Sequence, residues 1–73
     1  MKRLTLKEAR DLRGLTQVKL AKLANMEQTH ISAIERGRKK QPEIRTMQKL
    51  ARALDMEAYL SVAGLVFEER SQP

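Results

Sequence analysis

The chain has 73 residues, no cysteine, one histidine and a formal net charge of +6. That length allows one domain with a modest core. The absence of thiols excludes disulfides and a thiolate metal site, and the longest mostly apolar run, Ala58 to Phe67, is too short to span a bilayer. Lys2 and Arg3 are followed by no apolar signal core, so a cytoplasmic protein is expected. The charge is uneven. Residues 1–40 hold eleven Lys or Arg against four acids, a net of +7, whereas residues 41–73 hold four against five, a net of −1. A basic half beside a near-neutral one suits a face that meets phosphates, although a solvated, solubilising surface has the same composition.

In chain order, a first helix is expected from Thr5 to Arg13, with Thr5 and Glu8 forming a capping box and Gly14 as the stop. A second starts at the N-cap Thr16, buries Leu20, Ala21, Leu23 and Ala24, and ends at Asn25. A third spans about Glu27 to Arg36, with Ile31 and Ile34 inward and Gly37 closing it. The basic loop Arg38-Lys39-Lys40-Gln41 leads to Pro42, which opens a fourth helix striped by Ile44, Met47, Leu50, Ala51 and Leu54. After the break Asp55-Met56-Glu57, a fifth helix is expected from Ala58 to about Ala63, stopped by Gly64. β-Branched residues are sparse and do not alternate, so no strand is expected. The domain is read as residues 1–64, with 65–73 as an apolar and then polar tail.

The second and third helices are short and separated by only Asn25-Met26-Glu27. They must cross steeply, as in a helix-turn-helix unit. The outward residues of the third helix are Gln28, Thr29, Ser32, Ala33 and Arg36, which are amides, hydroxyls, a methyl and one terminal arginine. A merely solvated face is usually rich in Lys and Glu. Base edges call for the set found here: Gln for adenine, Ser and Thr for either kind of base, and Ala for a thymine methyl.

The stretch TQVKLAKLANMEQTHISAIERG resembles the helix-turn-helix of the Xre-type family, which includes the lambdoid phage repressors and Cro proteins. The resemblance extends over residues 6–60. It rests on Thr16-Gln17, Leu20-Ala21, Ile31-Ser32, Ile34-Glu35-Arg36-Gly37, Pro42, Leu50-Ala51 and Ala53-Leu54. It implies an all-α, five-helix lambda-repressor-like domain that places its third helix in the major groove of double-stranded DNA. By resemblance, Gln28, Thr29, Ser32 and Ala33 read bases. Gln17, Arg36, Arg38 and Lys40 contact phosphates, with Lys39 sharing that task, and Gln17 also braces the third helix. His30 joins the phosphate contacts, flanks the base contacts, or is a half-exposed surface residue. Arg10 and Glu35 are read as a structural pair linking the first and third helices. The family usually has Gly at the positions of Asn25 and Asp55, and Ser or Thr at those of Glu27, Glu43 and Glu57.

The expectation is a transcriptional regulator, most simply a repressor binding a two-fold related operator as a homodimer, without cofactor or metal. An antitoxin that binds a toxin protein and represses its own promoter is the alternative, and a controller protein of a restriction–modification system is a third. Tyr59 to Phe67 exceeds what a five-helix core needs. It is read as a dimer contact, a toxin site, the stub of a longer chain, or a segment that folds back onto the core. No nucleophile–base set, paired carboxylates or phosphate loop points to an enzyme.

Overall fold

A computed structural model describes residues 2–38 and 42–70. These form helices α1 (Leu6–Leu12), α2 (Gln17–Ala24), α3 (Gln28–Glu35) and α4 (Ile44–Leu54), then strands β1 (Met56–Ser61) and β2 (Gly64–Glu69). The expected all-α, five-helix architecture is therefore corrected to four helices followed by an antiparallel hairpin.

Local chemistry accounts for the helix ends. At α1 the Thr5 hydroxyl accepts from the Glu8 amide (3.1 Å) and the Glu8 carboxylate accepts from the Thr5 amide (2.9 Å), so the capping box is complete. The Thr16 hydroxyl accepts from the Lys19 amide at the start of α2. Asn25 (φ 55°) and Asp55 (φ 54°) take the left-handed turn that ends α2 and α4, the conformation that side chains other than Gly, Asn and Asp tolerate poorly. Glu27 and Glu43 occupy the N-cap positions of α3 and α4 without a capping side-chain bond. Pro42 lies one residue before the Glu43 cap and is buried, rather than opening α4 itself.

The region expected as a fifth helix is β1 and the turn that follows it. A helix over 58–63 would have under two turns, too few to stand without strong packing. In extended form the same residues pair fully with β2, from Met56↔Glu69 to Ser61↔Gly64, and Met56 and Phe67 become fully buried. The turn is Val62-Ala63, which lacks the usual Asn-Gly signal. Ser61 replaces that signal with side-chain bonds, its hydroxyl donating to the Gly64 carbonyl (2.9 Å) and accepting from the Ala63 amide (3.2 Å). Gly64, at φ 115°, takes a backbone that other residues rarely adopt.

One core joins all six elements. Leu4 and Leu6, the α2 face Leu20-Ala21-Ala24, Ile31 and Ile34, Leu50 and Leu54, and Met56 with Phe67 enclose it. Two sequence expectations fail here. Leu23 is 61% exposed and Ile44 is 70% exposed, because α2 turns Leu20, Ala21 and Ala24 inward and α4 turns Thr46, Leu50 and Leu54 inward instead. Outside the core, Arg13 fastens three elements. Its guanidinium donates to the Leu54 carbonyl (2.6 Å) and the Asp55 carbonyl (3.1 Å), and it pairs with Glu69 (2.6 Å). It thereby satisfies carbonyls that the end of α4 leaves open. Nothing in the sequence pattern separates this arginine from a surface cation.

Candidate nucleic-acid interface

The helix-turn-helix is α2, the turn Asn25-Met26-Glu27, and α3. The close approach of α2 and α3 is possible because Ala21 and Ala24 are small and buried where they meet the core. Holding the third helix in this pose falls to a chain of polar side chains that starts at α1. Arg10 donates to both carboxylate oxygens of Glu35, from Nε at 2.8 Å and from Nη2 at 3.2 Å, and to the Leu15 carbonyl at 2.9 Å. The two side chains are only 11% and 7% exposed. Fork-to-fork geometry of this kind fixes orientation as well as adding energy.

The chain continues outward. Glu35 Oε1 also accepts from the Gln17 amide nitrogen at 3.0 Å, and Gln17 Oε1 accepts from the Gln28 amide nitrogen. Gln28 is the first residue of α3, so a buried ion pair ends in an exposed amide at the helix N-terminus. With one N–H committed to Gln17, Gln28 keeps its second N–H and its carbonyl oxygen. Adenine N7 and N6 require that donor and acceptor pair. Burial pushes the Glu35 carboxyl up. The hydrogen bonds from Arg10 and Gln17 and the Arg10 charge outweigh that effect and hold it below the ordinary carboxylate range. The network is therefore anionic at its centre at neutral pH.

The structure gathers Gln28, Thr29, Ser32, Ala33, Arg36 and Arg38 around a single surface groove. Thr29, Arg36 and Arg38 are exposed, and Ser32, Ala33 and His30 are half-buried on the same helix. Arg36 and Arg38 take no ion-pair partner among the described residues, so both cations are left facing solvent beside the groove. Lys39 and Lys40 lie outside the described residues. No group of His, Asp or Glu among the described residues is arranged to hold a metal ion.

The helix-turn-helix family model matches residues 6–59, most of the chain. The chain belongs to the Xre-like helix-turn-helix family. It is, in that coarse sense, a DNA-binding transcription regulator. The family match ends within β1, at Tyr59, so the end of that strand and all of β2 lie beyond it. No curated protein matches the chain. No helix among the described residues is long and apolar enough to cross a membrane. Gln17 braces the third helix, as the family resemblance implies, through Glu35 and Gln28. The particular partners, Glu35 and Gln28, follow from the angle between α2 and α3, which no spacing rule supplies.

Proposed function

We propose that the protein is a sequence-specific repressor that binds a palindromic operator as a dimer, with α3 of each subunit in the major groove. The observation that carries this reading is the Arg10–Glu35–Gln17–Gln28 chain, which presents an oriented amide at the tip of α3, beside a groove that also holds Thr29, Ser32, Ala33, Arg36 and Arg38. An amide held in one orientation has little rotamer entropy left to lose on meeting a base edge. Base readout then falls to Gln28, Thr29, Ser32 and Ala33. Phosphate contact falls to Gln17, His30, Arg36 and Arg38, with Lys39 and Lys40 next in the sequence. Repression follows from occlusion of polymerase at the bound site.

The test separates the two contact classes. Arg38→Ala should weaken binding to all duplexes alike and reduce the slope of log K against log salt by about 0.9. Thr29→Ala should relax preference at its own base position while leaving that slope in place. A Thr29 variant that loses affinity evenly over all sequences would contradict a base-reading α3.

A further inference from the structure

The two edges of the hairpin are treated differently. On β2 the Phe67 amide donates to the Leu4 carbonyl and the Phe67 carbonyl accepts from the Leu4 amide, both at 2.8 Å. Both backbone groups of Phe67 therefore point away from β1. Its cross-strand partner Ala58 must then point its own N–H and C=O away from β2. By alternation along the strand, so do Met56 and Leu60. No backbone partner meets them among the described residues. The β2 edge is met by Leu4 at its centre, Phe67, whereas no backbone meets the β1 edge among the described residues. The bare strand carries one charge, Glu57, and neither a lysine nor a proline to guard it. Tyr59 (43% exposed), Leu60 (46%) and Val62 (109%) crowd the same end of the hairpin.

From this edge we infer that β1 pairs antiparallel with β1 of a second copy of the chain, about a two-fold axis at Ala58, making one four-stranded sheet. The inference rests on the operator-binding reading only in that it supplies the subunit contact a palindrome requires. Self-pairing is favoured by register and by charge. Centred on Ala58, the outward groups of Met56 meet those of Leu60, Ala58 meets itself, and Glu57 lies opposite Tyr59. Centring on Glu57 would set two carboxylates face to face. Centring on Tyr59 would leave Met56 opposite the turn.

The charges permit approach here and oppose it elsewhere. Residues 1–40 carry a net +7, whereas between Arg52 and Arg70 there are four acids and no cation. Three of those acids are already paired, Asp55 with Arg70, Glu68 with Arg3 and Glu69 with Arg13. The fourth, Glu57, accepts from the Tyr59 hydroxyl. Pairing through the same edge on both subunits is isologous and closes on itself as a dimer.

The test is sedimentation equilibrium of the full chain without DNA, on wild type and Ala58→Pro. Proline at position 58 removes an N–H that makes no bond within the hairpin, so the subunit's own ladder survives. Wild type should be a dimer, and the variant should dissociate at least about 100-fold more readily, as expected for several backbone bonds lost together. A second pair of variants avoids any question of folding. The chain has no cysteine, so Ala58→Cys should oxidise to a covalent dimer, because paired α-carbons across such an axis lie about 5.5 Å apart. Val62→Cys, whose two copies would be well apart, should not. A monomeric wild type at about 100 µM, an Ala58→Pro protein that dimerises like wild type, or equal cross-linking at positions 58 and 62 would each overturn the inference. A dimer that selects no DNA sequence would leave it standing and remove the operator reading instead.

Discussion

The helical part of the molecule and the hairpin follow different rules. In α1 to α4 the signals that shape the chain are local: the Thr5–Glu8 capping box, the Thr16 cap, the left-handed Asn25 and Asp55, and apolar residues at helical spacing. The hairpin has none of these. Its turn is Val-Ala, its strands do not alternate cleanly, and its form is set by what it covers. Met56 and Phe67 reach the core only if 56–61 and 64–69 are extended and paired. A short segment whose structure depends on distant partners reads as whatever its local propensity suggests, here a fifth helix from Ala58 to about Ala63 ended by Gly64, and tertiary packing overrides that preference.

The sharpest way to break this comparison is Phe67→Ala. If the hairpin is part of the core, removing its largest fully buried side chain should cost about 3–5 kcal/mol in urea or thermal unfolding, enough to unfold much of so small a domain. A loss below about 1 kcal/mol would make residues 65–69 an appendage instead.

Within the helical part, Glu35→Ala should cost on the order of 2–3 kcal/mol, since it strands the Arg10 guanidinium and frees Gln17. The same carboxylate gives the pH dependence its sign. Its folded value lies below the ordinary one, so its contribution is complete above about pH 4.3 and fades as the pH falls through the lower folded value. Glu8 and Glu69 are also lowered, by the Thr5 backbone and by Arg13, and act in the same direction. Urea midpoints from pH 7 to pH 3 should therefore decline, and Glu35→Gln should decline less steeply than wild type.

Gln28→Ala should leave the melting temperature nearly unchanged while removing about 1–3 kcal/mol of discrimination at one base pair, measured by competition between matched and substituted duplexes. Gln17→Ala should reproduce part of that loss, because it releases the Gln28 amide without removing it. The smallest effect belongs to the helix ends. Glu43→Ser should stabilise by about 0.5–1 kcal/mol, since α4 starts without a side-chain cap. No gain there would mean that its start is held by Pro42 packing rather than by capping.

Much of the candidate interface was legible in the sequence, because the helix-turn-helix is a local unit whose turn length, small residues and outward side chains sit within about twenty positions of one another. The Arg10–Glu35 pair was legible only through the family resemblance, being 25 residues apart. The Arg13 clamp on Leu54, Asp55 and Glu69 was not legible, since each partner lies more than 40 residues away. Leu23 and Ile44 were misjudged for a related reason. Helical spacing defines a stripe, but which edge of the stripe meets the core depends on the crossing angle.

The central claim, an oriented α3 that reads bases from a two-fold dimer, is tested most directly by selecting bound sequences from a random duplex library at about 150 mM salt, where purely electrostatic binding is suppressed. The account predicts a palindromic motif with half-sites about ten base pairs apart. A library that emerges without an enriched motif, although the protein is folded and dimeric, would contradict it.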